Sequence, residues 1–597
     1  MTRNAEIADL LEEFADRLEA MDVEYKPRAY RRAAENVRAS ATDIEALAAE
    51  GQDAVEGIEG VGDAISSKIV EYFETGEIEE LEELRAELPV DIDALTAVEG
   101  VGPKTVGDLY EALDVRDLDD LEAAAEEGRI REVKGYGAKT EENILEAIPF
   151  ARQSRERALL GDARPVADRL LEHLRGHEAV ERADTGGSLR RWRPTVGDID
   201  VLVASGSGER AVEAFVDWAD ADEVIEAGST KASVRSNGMR VDLRVVVPEE
   251  FGAALQYFTG SRDHNVRLRN RAIERDLKMN EYGVFDVSGV EDPDSGEGTD
   301  GSRTSSDGSD GRQRVGERVA GETEEGMYEV LDLPWIEPEM REDRGEVDAA
   351  IADELPELVT VEDIRGDLHT HTDRSDGKHS IAKMLEAAVE FGHDYYAVTD
   401  HATGPGIVGG VGLSDEELVE QADEVREAAE GVGMEVFTGV EANLDTEGGL
   451  NVGDEALDEL DVVVASPHAA LDGDGTDRIV AAIEHPETDI VGHPTGRTLN
   501  QRPGMSLDFE TVGKAAAEHG VALEVNAYPP RLDLRGAAVK TVVEQGATVV
   551  VDTDAHATES LDRLRYGVHT ARRGWAEAED VLNAGDVAAV RAFADVD

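Results

Sequence analysis

Apolar and polar positions follow three different rhythms along this chain. From residue 1 to about 150, apolar residues recur at helical spacing between short turns. The first segment, MTRNAEIADLLEEFADRLEA, is an acidic amphipathic helix without an apolar leader. From about 152 to 248, strand patterns such as DIDVLVA and MRVDLRVVV take over. After EYGVF (281–285) comes a run rich in Gly, Ser and Asp and nearly free of apolar residues, which predicts a disordered insert over 287–318. A second boundary falls in WIEPEMREDRGEVDAAIADELPELVTVEDI. In the last 230 residues, apolar runs recur and each ends in polar groups: IRGDLHTH, YYAVTDH, MEVFTGVEANL, LDVVVASPH, DIVGHP, VALEVNAYP and ATVVVDTDAH. Helical stretches such as IAKMLEAAVEFG separate most of them. Seven alternating strand–helix units predict a parallel α/β barrel rather than an open sheet.

The expected division is therefore helical over 1–88 and 89–151, and mixed α/β over 152–248. A further subdomain follows over 249–336 with the insert, then a linker over 337–362 and the barrel over 363–597. A length of 597 residues is too great for a single core, and 40% hydrophobic residues suffice for several. The absence of cysteine excludes disulfides, thiolate metal sites and thiol catalysis. Nothing approaches 18 uninterrupted apolar residues, so a soluble, cytoplasmic protein without membrane partners is expected. The net charge of −75 would ordinarily repel nucleic acid. The acid is dispersed over every segment, however, and lysine supplies roughly a fifth of the 59 basic residues, a halophile pattern. In about 1 M salt the screening length is only ~3 Å, so local contacts decide what such a chain binds.

Three helical segments share one pattern: IEGVGDAISSKIVEYF (58–73), VEGVGPKTVGDLYEAL (98–113) and VKGYGAKTEENILEAI (133–148). Each has an apolar residue, Gly-x-Gly and an amphipathic helix, a helix-hairpin-helix signature. The glycines Gly60, Gly62, Gly100, Gly102, Gly135 and Gly137 allow tight hairpins whose backbone N–H groups face an anion. Such contacts read phosphate and not sequence, so they predict DNA binding.

In GDIDVLV, Asp198 and Asp200 stand two apart on a strand and so share a face. Asp242 lies in the apolar run RVDLRVVV, where a lone carboxylate is costly without a cation. Upstream, GGSLRRW offers Gly186, Gly187 and Ser188 as a triphosphate cradle beside Arg191. Three carboxylates suited to two Mg2+ ions, next to a Gly-Ser cradle, describe a nucleotidyltransferase.

Eleven of the fourteen histidines lie from His369 onward. His369, His371, Asp376, His401, Glu441, His468, His493, Asp554 and His556 fall just past the predicted barrel strands, at the rim where active sites are built. Imidazole and carboxylate without thiolate suit Zn, Mn or Fe, and several ions rather than one, an arrangement used in phosphoester hydrolysis.

These rim motifs resemble the PHP (polymerase and histidinol phosphatase) domain. That resemblance implies a distorted seven-stranded barrel with nine ligands for up to three ions, Mn2+ or Zn2+, and assigns His379, His393, His485, His519 and His569 to structure or surface. Arg497 is left to contact phosphate or to close a rim salt bridge. LQYFTGSRDHNVRLRNRAIERDLKMNEYGVF (255–285) resembles a family X DNA polymerase, the group of polymerase beta. By that resemblance Tyr257, Phe258 and Gly260 line the sugar of an incoming dNTP, and Asn265 meets its base. Arg269 meets the template, Gly187, Ser188, Arg191 and Gly197 belong to the nucleotide site, and Arg244 positions Asp242. Residues 1–88 correspond to the family's lyase-like domain. Lys68 matches its Schiff-base lysine, which needs a depressed pKa to act. Ala64 stands where the family has a second lysine, so gap binding without lyase activity remains the alternative.

Polymerase followed by PHP domain resembles the bacterial and archaeal PolX type. The resemblance implies a monomeric repair enzyme that fills gapped or nicked DNA and processes 3′ ends. Two other readings stand beside it: a PHP phosphoesterase for a small phosphate ester with a silent polymerase body, and a non-catalytic gap-binding protein.

Overall fold

The computed structural model describes residues 3–23, 26–39, 44–58, 60–98, 100–155, 157–290, 313–406 and 411–596. Two compact units result, Met1–Ala158 with Asn500–Arg502, and Leu159–Leu499 with Pro503–Asp597.

The first unit is built of helices around two hydrophobic cores. One core gathers Leu11, Phe14, Ala33, Ile69 and Leu81, and the other Leu95, Val106, Leu121, Ile144 and Ile148. The helices Asp63–Thr75 and Pro103–Leu113 begin at the extended glycines Gly62 and Gly102, and Ala138–Arg155 begins just after Gly137. Pro103 occupies the first position of its helix, where its missing N–H costs nothing. Arg17 ties the two cores together, donating to the carbonyls of Leu88 (2.7 Å) and Val90 (3.3 Å).

In the second unit a five-stranded palm sheet runs in the order Arg182–Thr185, Ile199–Ala204, Met239–Val246, Lys231–Ser236, Glu223–Ala227. The two central neighbours, Ile199–Ala204 and Met239–Val246, are parallel, with Asp200 directly opposite Asp242. Because side chains alternate along a strand, Val201, Val203, Val241, Leu243 and Val245 enter the core and leave both aspartates on the other face. Helices Phe251–Thr259 and Arg262–Ile273 follow, with a small antiparallel sheet of Leu277–Asn280, Gly283–Asp286 and Glu317–Ala320. Of the insert expected over 287–318, residues 291–312 lie outside the described residues, and its last two, Glu317 and Arg318, form part of a strand.

The segment 337–362, expected as a linker, is a packed joint. Arg341 is fully buried, donating to the Ile336 carbonyl (2.8 Å) and to Glu324. Glu339 accepts Arg572 Nε (2.8 Å) and hydrogen-bonds His569 Nδ1 (2.6 Å), and Glu346 meets His264 (2.6 Å). Glu339, Arg341 and Glu346, charges in a run that reads as polar tether, are buried because each has a fixed partner.

The barrel is a seven-stranded parallel sheet in sequence order: Gly366–Asp367, Tyr395–Val398, Glu435–Asn443, Val462–Ser466, Ile490–Val491, Ala522–Glu524, Val549–Val550. Side chains do much of the work at the seam between its last and first strands. Asp552 accepts Leu368 N–H (2.8 Å) and Asp367 accepts Thr553 N–H (3.2 Å). Asn583 donates to the carbonyls of Gly366 (2.8 Å) and Val551 (2.7 Å), and a single bridge joins Thr370 to Ala555. Palm and barrel share apolar surface, since Leu532 and Tyr566 of the barrel pack into the palm core. Each such buried side chain contributes about 1.5–3 kcal/mol. Among the described residues no helix is long and apolar enough to cross a membrane.

Candidate active sites

Carboxylate oxygens of Asp198, Asp200 and Asp242 lie within 4.8 Å of one another on the palm. Asp198 and Gly197 are exposed just ahead of the strand that carries Asp200. Burial, and then the like charges of Asp198 and Asp242, push Asp200 up to about 7. Like charges gathered in this way fit a divalent cation. Gly187 opens the short helix Gly187–Arg190 with φ +58°, and a Cβ there would overlap an oxygen of Asp200. The glycine cradle therefore lies directly against the carboxylate, with Ser188 next in the helix.

Four surroundings differ from expectation. Arg240, and not Arg244, holds Asp242, its Nε lying 3.0 and 2.9 Å from the two oxygens, with Ser233 Oγ also donating. Arg244 instead stacks 4.3 Å over the Phe258 ring. Arg191 is buried and held by Glu342 (3.0 Å) and the Thr259 carbonyl (2.6 Å), from where its charge still lowers the pKa of Asp200. Asn265 spends its amide on the carbonyls of Tyr257 (2.7 Å) and Gly260 (3.3 Å) while accepting from Gln256 (2.9 Å). It fastens the end of the helix. The remaining expected residues gather nearby: Tyr257 and Phe258 pack edge to face at 5.2 Å, Gly260 leaves no room for a Cβ beside Asn265, and Arg269 Nε reaches the Asn265 carbonyl (3.3 Å).

In the helical unit, Gly60, Gly100 and Gly135 have φ of +77°, +84° and +105°, which the hairpin turn requires. Gly62, Gly102 and Gly137 are different: a Cβ on any of them would meet nothing within 4 Å. Internal packing therefore does not demand glycine at these positions. Lys68 ion-pairs with Glu80 at 2.7 Å and sits 5.5 Å over the Phe14 ring. Burial lowers its pKa, but hydrogen bonds and charges from Glu80 and Tyr30 outweigh that and raise it, so the expected depression is not met.

All nine expected barrel residues converge. Glu441 is the hub, with oxygens 2.9 Å from His493 Nε2, 2.6 Å from His401 Nδ1, 3.3 Å from His468 Nε2, 3.4 Å from His369 Nε2 and 3.6 Å from His371 Nε2. Asp554 lies 3.2 Å from His371 and 3.5 Å from His556, while Asp376 lies 3.4 Å from His401 and 3.3 Å from His556. Ligand atoms fall into three overlapping groups: His371, Asp376, His401 and His556; His369, His371 and Asp554; His401, Glu441 and His468. His369 Nε2, both ring nitrogens of His371 and of His468, His493 Nδ1 and Glu441 Oε2 are buried without hydrogen-bond partners. Buried polar atoms are rarely left so, and a set of orphaned imidazole and carboxylate atoms facing one another fits bound metal. Burial, followed by the neighbouring histidines, brings His371 down to about 3, keeping it in the neutral form that ligates.

Family comparisons match the same layout. A Helix-hairpin-helix domain model matches residues 2–78, a SAM-like Helix-hairpin-helix tandem 52–114 and 92–148, a DNA polymerase beta thumb 254–342, and a PHP domain 367–527. The DNA polymerase/3′-5′ exonuclease PolX of Bacillus subtilis is 34% identical over 596 residues, 98% of each chain. The chain belongs to the PolX family. Relatives of the barrel alone include probable phosphatases of Shewanella, 31% identical over 33% of this chain and 77% of that protein, and of Thermoanaerobacter, 30% identical over 38% and 93%.

Within this PolX chain two carboxylates that the motifs did not single out support the ligands. Glu524 hydrogen-bonds His369 Nδ1 (2.7 Å) and accepts the His493 N–H, fixing the ring's orientation from behind. Asp400 accepts Thr372 N–H (2.7 Å) and Oγ1 (2.6 Å) and also Ser375, bracing the loop that carries Asp376. Glu524 interrupts an apolar run, the signal that revealed Asp242, and Asp400 ends one beside His401. Arg497 closes no rim salt bridge among the described residues. It donates to the carbonyls of Arg531 (2.8 Å) and Leu532, stapling the loop after the sixth strand. His569, one of the histidines assigned to structure or surface, stacks on Trp192 of the palm at 3.6 Å.

Proposed function

We propose that this chain extends DNA 3′ ends by template-directed nucleotide addition at the palm and removes nucleotides from 3′ ends at the barrel. The observation that carries the reading is the presence of two complete constellations on different sheets: Asp198, Asp200 and Asp242 with Gly187 against them, and the nine-residue cluster around Glu441. Similarity to a DNA polymerase/3′-5′ exonuclease over 98% of the chain supports it.

The substrates we assign are gapped or nicked duplexes and dNTPs, handled by a monomer. Asp198, Asp200 and Asp242 would hold two Mg2+, and the barrel residues up to three Mn2+ or Zn2+. Bound there, such ions neutralise charge on the transferring phosphate and acidify the attacking hydroxyl or water. The chain's own residues do the rest. Backbone N–H groups at Gly187 and Ser188 receive the triphosphate at a helix start, and the Tyr257–Phe258 pair walls the sugar. The three hairpins hold duplex phosphates through backbone groups. A barrel acting on a small phosphate ester beside a silent palm is disfavoured by the intact aspartate set.

Single substitutions separate the two activities. Asp200→Ala abolishes nucleotide addition and leaves 3′ hydrolysis intact, and His371→Ala does the reverse. If either one abolishes both, the two-site account is wrong.

A further inference from the structure

We propose that Arg531 is a substrate-binding residue of the barrel, and that its guanidinium takes the non-bridging oxygens of the phosphodiester hydrolysed at a DNA 3′ end. The inference rests on the hydrolytic reading of the barrel. Arg531 Nε lies 3.8 Å from Asp554 Oδ2, at the edge of the ligand cluster, and the side chain is 21% exposed. Asp554 is its side chain's one ion contact among the described residues, and its charge is felt at the ligand His493, although a guanidinium carries five N–H donors.

The backbone beneath this side chain is held from several directions. Its own N–H donates to the Tyr528 carbonyl (2.8 Å), and its carbonyl accepts Arg497 Nε (2.8 Å). Two residues on, Asp533 accepts Thr495 N–H (3.0 Å) and Oγ1 (2.8 Å), and Leu534 N–H donates to the Glu524 carbonyl (2.9 Å). Asn526 joins the loop to the ligands, donating to Asp554 Oδ2 (3.1 Å). A fixed backbone and a half-buried cation beside the ligand carboxylates form a pre-organised anion site. The need for one is electrostatic: a phosphodiester must approach Glu441, Asp554 and Asp376, and a planar guanidinium offers a fork matched to phosphate.

The test uses the full-length chain loaded with Mn2+ and the variants Arg531→Ala, Arg531→Lys and Arg563→Ala. Arg563 lies 4.7 Å over the Tyr528 ring of the same rim and controls for loss of one positive charge. Three quantities are measured: kcat/KM on a 5′-labelled single strand, the affinity for inorganic phosphate by calorimetry, and bound metal per chain. Arg531→Ala is expected to keep its metal and its nucleotide addition while phosphate affinity and kcat/KM each fall roughly 10- to 100-fold. Arg531→Lys falls less, and Arg563→Ala stays near the parent. Unchanged phosphate affinity in Arg531→Ala overturns the proposal, as does loss of metal, which would make Arg531 a support for Asp554. If the parent binds inorganic phosphate through Arg531 yet shortens no strand, the DNA reading of the barrel fails and the phosphate site stands.

Discussion

Gly187 shows how closely the palm chemistry depends on single atoms. Its φ of +58° and the crowding of a Cβ against Asp200 leave no room for a side chain. Gly187→Ala must displace the cradle or the carboxylate, and a misplacement of about 1 Å can cost on the order of 100-fold in rate. We expect nucleotide addition to fall by roughly that factor with 3′ hydrolysis unchanged, measured on the same preparation. An unimpaired polymerase would show that the cradle is not where the triphosphate sits. At this scale the sequence was most readable where a residue was costly without a partner. Asp242 stood out in an apolar run, and the nine rim residues each closed a different strand. The partners of Arg191 and Asn265, Glu342 and Gln256, were not legible because they come together with them only once the chain has folded. Glu524 carried the Asp242 signal but belonged to no recognised motif, whereas Asp400 stood unassigned inside TDH beside His401.

At the scale of elements the joint over 337–362 departs most from its sequence pattern. Glu339 is buried between His569 and Arg572 of the barrel, and Glu324 between Arg190 of the palm and Arg341. Burial alone would raise both carboxyls, but those partners bring each down to about 2. The unfolded chain takes up these protons near 4.5, so the stabilisation is present above that pH and is lost as pH falls from about 4.5 through 2. Each group contributes on the order of 3 kcal/mol. His393 acts earlier and in the same direction. Burial holds it down to about 4, so the unfolded chain binds its proton first and stability falls between about 6.5 and 4. Thermal unfolding should therefore show Tm falling steadily from pH 7 to pH 3, with His393→Phe flattening the upper part and Glu339→Gln the lower. Glu339→Ala at pH 7 should cost about 3–5 kcal/mol by taking one of the two carboxylate partners from buried Arg572 and the hydrogen-bond partner from His569. A flat Tm, or a neutral Glu339→Ala, would mean that the joint is not held as described.

For the molecule as a whole, the order of helical hairpins, palm and barrel was legible because hydrophobic period changes between these three regions. The barrel's closing seam was not, since it depends on Asp367, Asp552 and Asn583 substituting for backbone ladders, which no periodicity encodes. The net charge of −75 also belongs to this scale. Self-repulsion on that order opposes compaction and is screened by salt, so Tm should rise between low and molar KCl, and unchanged melting would contradict this. The central claim is that one chain carries two working sites. A gapped duplex, 5′-labelled on the primer and incubated in high KCl with Mn2+, tests it most directly, with all four dNTPs in one lane and none in the other. The account predicts extension with nucleotides and shortening without them. Shortening in both lanes would contradict it, leaving the barrel's hydrolysis as the only activity.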